Sequence, residues 1–482
     1  MKRISNKQIA RIFLLAALLL LLLPSSLRAL TGNVYLMGEE PYYHARMAKQ
    51  IAQEGIPETD EHIFHGRNYI TNPYHFLLAL FALPFGALTA AKIVPLLLGL
   101  ICIYLFYLIL TKFKVESWQK WAALGMLILS PVFIYTFNMS TPACFILVLN
   151  LAGLFFLMKK GKLNTGISLA CFSIAATFGL LHAFVSAFIV FFYAFNYKKR
   201  LRRGYLLLAA IVFVALSYSL PIYLATENID FISTDLIASF VSDLGHAVGF
   251  SIFALLLAIV GYVLVWKYKK KYYSLYAFSI LLIVYSFFDN SLLIYSNLVI
   301  VFLAGIAFVH FARMKWNLKI LRQFTLLVLF CGLLFSAVNT AMDLRDMQPN
   351  AALTNSLIWL QLNSDEKEVV FSHHSNGFWI ELLSERPVVM DGLLRLTPDV
   401  NNIYFDSNQI FTADDLDTAR DLLSKYDVKY IVITENMYDG LVWEKREKGL
   451  DFLLTNAETF KKVQENSYVR IYGYIYEGVE EE

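Results

Sequence analysis

The sequence predicts a polytopic α-helical membrane protein of roughly eleven spans that carries a C-terminal α/β domain outside the membrane. Composition and a division of charge predict this class. Of the 482 residues, 58% are hydrophobic and 16% are charged, whereas soluble domains average about a quarter charged. Residues 1–338 contain 28 Lys and Arg against 12 Asp and Glu, and residues 339–482 contain 13 against 26. The basic, apolar part is therefore predicted to be a membrane domain and the acidic part a soluble domain.

A row of apolar segments is the third observation, because stretches of about 17 to 25 apolar residues mark membrane spans. The predicted spans, several of them short, are 9–28, 91–111, 120–137, 143–158, 166–181, 183–197, 205–223, 248–266, 274–288, 291–311 and 320–338. The first is interpreted as an uncleaved anchor, since Ser25-Ser26-Leu27-Arg28-Ala29 is a poor signal-peptide cleavage site.

The connections between the spans predict the topology. Every second connection is basic, which places the N-terminus and those connections in the cytoplasm. An odd number of spans then places residues 339–482 on the outer face of a plasma membrane, together with a first outer loop at 29–90. A prokaryotic plasma membrane is predicted. Because topology explains the basic excess, no nucleic-acid partner is predicted. The four cysteines lie within apolar runs without CxxC spacing, so no disulfide framework is predicted.

The first outer loop places acidic and aromatic side chains close to a predicted membrane boundary. Its sequence includes Gly38-Glu39-Glu40-Pro41-Tyr42-Tyr43-His44-Ala45-Arg46. Pro41 suits the first position of a helix and Gly55 suits its end, which predicts a short helix over 41–54. Carboxylates at the start of that helix complement the helix dipole.

A reaction that transfers a group from a phosphate-linked lipid also requires these residue types. A divalent ion held by carboxylates would neutralise a leaving phosphate. Arg46 could bind phosphate oxygens, and His44 or His75 could transfer a proton near neutral pH. The structural alternative is that the two acids cap the helix while the Tyr, Arg and His side chains anchor it at the membrane interface.

The acidic segment resembles the GT-C superfamily of polytopic glycosyltransferases, which take sugars from polyprenyl-phosphate or polyprenyl-pyrophosphate carriers. Residues 38–46 are similar to the acidic, Pro-aromatic-Tyr-His-x-Arg segment of archaeal oligosaccharyltransferase catalytic subunits. This resemblance implies that Glu40 is the catalytic, metal-binding acid. The Asp-Glu pair of the aminoarabinose and mannosyl branches implies Glu39 instead, and both acids remain candidates.

Further along the loop, Gly66-x-x-Tyr69-x-x-Asn72-Pro73-Tyr74-x-Phe76 resembles the stretch that those branches write as Lys-Pro-Pro-Leu. Asn72 stands where their phosphate-binding lysine would be, so the charge would have to come from Arg46, Arg67 or a metal. The resemblance implies that Tyr69 and His75 line the donor groove.

The C-terminal part contains a second resemblance. Residues 369–380 and 386–392 have the layout of the oligosaccharyltransferase segment around Trp-Trp-Asp-Tyr-Gly, but His373-His374-Ser375-Asn376-Gly377 replaces the sequon-reading Trp-Trp-Asp. His373, His374 and Asn376 are therefore candidates for binding an acceptor other than a glycosylation sequon. Around them, short apolar runs at 369–372, 388–391, 430–434 and 468–475 and a helix at 416–425 predict a small α/β domain.

The second outer loop departs from the family, because no acid occurs between Glu116 and Glu227. A second carboxylate ligand would have to come from the later outer loop, where the candidates are Glu227, Asp230, Asp235 and Asp243; Glu227 and Asp235 are taken with Glu40 as the predicted metal ligands. The alternative is that these four acids belong to a solvated loop.

Together these features predict a glycosyltransferase with a Mn²⁺ or Mg²⁺ cofactor. It would move a sugar from a polyprenyl-phosphate-linked donor in the membrane lipid to a glycan, lipid or protein acceptor at the outer face of the cell envelope. Two alternatives from other classes remain: a transporter or flippase of lipid-linked intermediates, and a catalytically inactive GT-C-like scaffold. Against the transporter, nearly all acids of the membrane part lie at one face and no internal repeat is evident.

Overall fold

A computed structural model describes residues 6–196, 201–225, 240–244, 248–266, 269–444 and 448–475. Most of these residues are helical. The α-helices in chain order are α1 (Asn6–Leu30), α2 (Glu40–Gln53), α3 (Pro73–Phe85), α4 (Ala87–Lys112), α5 (Ser117–Ile128), α6 (Pro131–Asn138), α7 (Pro142–Leu157), α8 (Lys162–Ala176), α9 (Leu180–Asn196), α10 (Leu201–Val214), α11 (Leu220–Ala225), α12 (Ile252–Val265), α13 (Lys269–Tyr285), α14 (Leu293–Arg313), α15 (Lys319–Asp346), α16 (Ala351–Leu362), α17 (Gly377–Leu383), α18 (Val400–Thr412), α19 (Leu416–Lys425) and α20 (Leu450–Leu453). The strands are β1 (Thr59–Asp60), β2 (Arg67–Asn68), β3 (Val369–Phe371), β4 (Val428–Thr434), β5 (Phe460–Glu465) and β6 (Val469–Tyr474).

The described residues divide into two compact units. The first, here called the membrane unit, comprises those within Met1–Val34, Lys92–Tyr223 and Ile232–Asp346. The second, here called the mixed unit, comprises those within Tyr35–Ala91, Leu224–Phe231 and Met347–Glu482. Most of the first outer loop belongs to the same unit as the C-terminal part of the chain, and the predicted domain boundary between 338 and 339 stays a prediction.

Five described helical segments are long and apolar enough to cross a membrane: Gln8–Leu30, Ala87–Lys112, Arg202–Ala225, Asn290–Arg313 and Lys319–Leu362. The pair α5 and α6, bent by 56°, makes a sixth if it counts as one span. Some predicted spans correspond to shorter helices. The 16 residues of α7, for example, rise only about 24 Å, against a hydrocarbon core of about 30 Å. Length and composition thus support a multi-pass membrane protein, and the count of eleven stays a prediction.

Within the membrane unit, α14 packs closely against two other helices. Gly261 of α12 faces the carbonyl oxygen of Leu303 in α14, and Gly305 of α14 faces the backbone of Ala123 in α5. Small residues let membrane helices approach to backbone contact in this way, where van der Waals packing stabilises the pair.

Alanine at Gly305 is expected to destabilise the membrane unit by about 1–3 kcal/mol, the usual cost of overpacking. A Cβ atom at this position would lie 2.6 Å from the Ala123 nitrogen and 2.8 Å from its Cα atom, so backbone has to move. The matched control is Gly166→Ala in α8, where a Cβ atom would meet nothing within 4 Å. Thermal unfolding of the detergent-solubilised protein measures both. An equal midpoint for the two variants would contradict the close approach.

In the mixed unit, the C-terminal part forms a small four-stranded sheet in the order β3-β4-β6-β5. The pair β3 and β4 is parallel, and the other two pairs are antiparallel. Helix α19 has the bounds that the sequence predicts, and the Asp415 side chain caps it by accepting a hydrogen bond from the Thr418 amide. The predicted apolar run 430–434 lies in β4.

The first outer loop extends this sheet. Val388 pairs in parallel with Val370 of β3, and Ile63 pairs in parallel with Val388. The Phe64 amide donates to the Val388 carbonyl at 2.8 Å, and the Val388 amide donates to the His62 carbonyl at 2.9 Å. Backbone hydrogen bonds therefore join residues far apart in the chain into one folding unit.

Apolar side chains cover both faces of the sheet. Ile431 and Ile433 of β4 pack into one buried cluster with Phe371, while Val432 packs with Val370 into a second cluster on the other face. Side chains alternate between the faces of a strand, so a strand buried on both sides has a continuous apolar sequence. The second cluster also contains Tyr42, Tyr43 and Met47 of α2, which fixes that helix against the C-terminal part.

Candidate functional site

The acidic pair marks the start of α2. Glu39 precedes the helix, Glu40 is its first residue, and Pro41 follows in the first turn, where its missing amide proton costs no hydrogen bond. The observed bounds, Glu40–Gln53, confirm the helix that the sequence predicts. Residues 41–48 are all buried. The two acids therefore project from a rigid, well-packed helix terminus.

Glu39 is a carboxyl group with a strongly altered proton affinity. Burial, the charge of Glu40 and the charge of Asp391, in that order, raise its pKa to about 7. The segment that resembles the sequon reader lies beside it, because the Trp379 indole Nε1 donates to the Gly38 carbonyl at 2.9 Å. A carboxyl group that is half ionised near neutral pH is suited to act as a general base.

Glu40 begins a chain of hydrogen-bonded side chains. One of its oxygens, Oε1, lies 3.2 Å from His44 Nε2, and His44 Nδ1 lies 2.7 Å from His75 Nε2. His75 Nδ1 in turn lies 2.7 Å from the Tyr69 hydroxyl. His75 is fully buried, and burial lowers its pKa well below the ordinary value for histidine, with a further decrease from His44. The structure thus brings together four residues that the sequence singled out separately. Their roles toward a substrate stay predictions.

Arg46 lies in a buried ionic cluster with four other residues of the mixed unit. Its Nη1 and Nη2 atoms donate to the two carboxylate oxygens of Asp60 at 2.7 and 2.8 Å, and Nη2 also lies 2.9 Å from Glu381 Oε2. Arg67 Nη2 donates to Asp60 at 2.8 Å, and Arg67 Nη1 donates to Asp391 at 2.8 Å. Arg46 is only 4% exposed. The structure therefore engages Arg46 in ion pairs, and its predicted contact with a carrier phosphate stays a prediction.

Charge balance explains how this cluster tolerates burial. Two guanidinium groups face three carboxyl groups, and the contact of Glu381 Oε2 with Arg46 Nη2 is an ion pair without hydrogen-bond geometry. Burial raises the pKa of Glu381 well above its ordinary value, although Arg46 opposes the shift. This shift favours the protonated form of Glu381, in which the two remaining carboxylates balance the two guanidinium charges.

Few features of the sequence indicate this ionic cluster. Asp60 lies in ordinary polar surroundings in the sequence, and its partners are distant. Two signals were available: Glu381, an acid within the otherwise apolar run Gly377–Leu383, and Asp391, an acid that directly follows the apolar residues 388–390. A lone acid in a buried helix requires a partner or a proton.

Asn72 has a structural contact that the resemblance did not indicate. Its side-chain oxygen accepts a hydrogen bond from the Tyr74 amide at 2.9 Å, so it caps α3 at the residue before Pro73. Its predicted contact with a substrate stays a prediction.

The replacement for the sequon reader forms a compact polar turn before α17. The His373 and His374 rings lie 4.0 Å apart, and His373 Nδ1 accepts a hydrogen bond from the Ser375 amide at 3.3 Å. The Asn376 side chain is buried and donates to the Ser372 hydroxyl at 2.9 Å. Burial and then His374 lower the pKa of His373 to about 3, so this imidazole is neutral at physiological pH. Acceptor binding by these residues stays a prediction.

Of the predicted metal ligands, only Glu40 lies in the described part of the chain, so the predicted metal site stays a prediction. No group of three His, Cys, Asp or Glu side chains there is arranged to hold a metal ion. Glu40 is hydrogen-bonded to His44, while Glu227 and Asp235 lie outside the described residues.

No protein-family model and no curated protein sequence matches the chain. Its fold is similar to that of the GT-C superfamily of glycosyltransferases, which confirms the resemblance seen in the first outer loop.

The oligosaccharyltransferase of Archaeoglobus fulgidus in its apo form superposes with a TM-score of 0.66 and 14% identity, covering 90% of this chain and 70% of that chain. ArnT from Cupriavidus metallidurans bound to undecaprenyl phosphate superposes with a TM-score of 0.54 and 14% identity, covering 98% of this chain and 99% of that chain. Arabinofuranosyltransferase AftD from Mycobacteria superposes with a TM-score of 0.60 and 13% identity, covering 98% of this chain and 40% of that chain. The archaeal enzyme has also been solved with dolichol phosphate and with zinc and sulfate. At these identities the similarity establishes the fold.

Proposed function

We propose that the protein is a membrane glycosyltransferase that moves a sugar from a polyprenyl-phosphate carrier to a hydroxyl-bearing acceptor, with Glu39 as the general base. The observation that carries the proposal is the position of Glu39. It is a half-buried carboxyl group with a pKa of about 7, at the acidic motif that resembles the GT-C superfamily. The fold supports the reaction class, since the similar proteins are glycosyltransferases and one of them binds undecaprenyl phosphate.

The reaction balances with the groups at hand. Glu39, ionised, accepts the proton of the acceptor hydroxyl as its oxygen attacks the anomeric carbon of the sugar. The bond between that carbon and the phosphate oxygen breaks, and the electron pair leaves with the polyprenyl phosphate. The negative charge of Glu40 beside Glu39 keeps the base strong, because it favours the protonated product state.

The proposal includes a divalent ion, two of whose predicted ligands, Glu227 and Asp235, lie outside the described residues. Bound by Glu40 with Glu227 and Asp235, Mg²⁺ or Mn²⁺ would neutralise charge on the leaving phosphate. The described residues do not complete such a site. We also propose the topology that the basic connections indicate, with the N-terminus in the cytoplasm and the mixed unit outside.

The test follows sugar transfer by mass spectrometry. The full-length protein in lipid nanodiscs is incubated with a panel of polyprenyl-phosphate hexoses and pentoses, and with lipid, glycan and peptide acceptors. Parallel reactions contain EDTA, then added Mg²⁺ or Mn²⁺. We expect consumption of one donor class and formation of a glycosylated acceptor, with loss of product in EDTA if the metal is required.

The opposite result identifies the alternatives. If no donor is consumed while the folded protein still binds polyprenyl phosphate, the proposed reaction is wrong. Movement of a fluorescent polyprenyl-phosphate sugar across a liposome membrane would then support a flippase, and binding without movement would support a scaffold.

A further inference from the structure

The hydrogen-bond chain from Glu40 to Tyr69 lies in surroundings that exclude water from its middle. Tyr43 contacts both imidazoles edge-on, with ring centroids 5.3 Å from His44 and 5.4 Å from His75. The Tyr69 ring stacks on His75 at 5.7 Å. His44 and His75 are 4% and 0% exposed, whereas the Glu40 side chain is 55% exposed. The two imidazoles in the middle of the chain are therefore buried, Tyr69 at one end is half-buried, and Glu40 at the other end is the most open to solvent.

The number of protons available assigns the donor and the acceptor in each hydrogen bond of this chain. An ionised Glu40 can only accept, so a neutral His44 must carry its proton on Nε2. His44 Nδ1 then accepts from His75 Nε2, which places the proton of a neutral His75 on that atom. His75 Nδ1 is left as an acceptor, and the Tyr69 hydroxyl supplies its donor. This is the one arrangement in which all three hydrogen bonds form between neutral imidazoles and an ionised Glu40.

From this geometry we infer that Tyr69 and His75 are positioning residues, which set the tautomer and orientation of His44 and thereby hold the Glu40 carboxylate beside Glu39. The inference rests on the proposed function for its effect on catalysis. It assigns Tyr69 and His75 a role that acts through Glu40, in addition to the predicted one of lining the donor groove. Outer residues that orient an inner carboxylate or imidazole commonly affect activity by roughly 10- to 100-fold.

The first measurement observes the hydrogen-bond chain directly and does not require sugar transfer. Nitrogen-15 NMR of histidine-labelled protein in nanodiscs reports which ring nitrogen carries the proton. We expect Nε2–H tautomers for both His44 and His75, with a scalar coupling between His44 Nδ1 and His75 Nε2 across their hydrogen bond. An Nδ1–H tautomer at His75, or a doubly protonated His44, would overturn the inference whether or not the protein transfers sugar.

The second measurement is a double-mutant cycle in the transfer assay. Tyr69→Phe removes only the hydroxyl, and Glu40→Gln removes only the charge. We expect Tyr69→Phe to lower kcat by roughly 10- to 100-fold in the wild-type background and to have little further effect in the Glu40→Gln background, because residues that act as a unit are not additive.

The matched control is Tyr43→Phe, which keeps the ring that contacts both imidazoles and removes a hydroxyl outside the chain. Its small effect should be the same in both backgrounds. If the losses of Tyr69→Phe and Glu40→Gln multiply, Tyr69 acts by another route and the positioning role is wrong. Expected tautomers without any sugar transfer would instead contradict the proposed function and leave the hydrogen-bond chain intact.

Discussion

Glu39→Gln is expected to lower kcat for sugar transfer by roughly 100- to 10,000-fold, the range over which a general base contributes to catalysis. Glutamine keeps the size of the side chain but cannot take the acceptor proton. The measurement compares initial rates of product formation in nanodiscs, using the donor that the wild-type protein consumes. Glu54→Gln is the matched control, because Glu54 lies exposed at the other end of α2. A Glu39→Gln variant with wild-type rates would exclude Glu39 as the base.

The pH dependence of the reaction gives the same assignment a second test. A base must be ionised, and the pKa of Glu39 is raised to about 7. The value of kcat/KM should therefore rise with pH through about 7 and level off above it, because it reports the free enzyme. Glu40→Gln removes one of the negative charges that raise this pKa, so the midpoint should move to lower pH. An unchanged midpoint would contradict the electrostatic link between the two acids.

Asp60→Asn is expected to reduce the stability of the mixed unit by about 3–5 kcal/mol, the usual cost of removing one partner from a buried ion pair. The asparagine would leave the guanidinium groups of Arg46 and Arg67 buried with one carboxylate fewer. Burial alone would raise the pKa of Asp60, but the two arginines together hold it well below its ordinary value. The stabilisation is therefore present at neutral pH and is lost only as the pH falls below the ordinary range for aspartate.

Hydrogen exchange measured by mass spectrometry shows which segments lose stability in Asp60→Asn. We expect faster exchange across residues 46–67 and 377–391 in Asp60→Asn, together with a lower unfolding midpoint. The adjacent acid Glu61 is exposed, so Glu61→Gln is the matched control and should change stability by no more than about 0.5 kcal/mol. Equal exchange in the two variants would show that the ionic cluster contributes little to the mixed unit.

The sequence alone determined the local features of this protein. Pro41, which follows the acidic pair, and Gly55 predicted the start and the end of α2 to within one residue. A capping aspartate and an amphipathic pattern predicted α19, and a continuous apolar run predicted β4. The acidic motif predicted the GT-C fold, which the solved structures confirm. Each of these features depends on residues close together in the chain, where turn chemistry and periodicity leave a readable pattern.

The tertiary structure alone decided which of those residues meet. Arg67 and Asp391 are separated by 324 positions yet share a hydrogen bond, and no local spacing could indicate that pairing. The same holds for Arg46, whose charge is consistent with phosphate binding in the sequence and is enclosed by carboxylates in the fold. The four-residue chain from Glu40 to Tyr69 likewise exists only because α2 and α3 pack together. Ion pairing and hydrogen bonding depend on distance in space and on burial, and folding determines both.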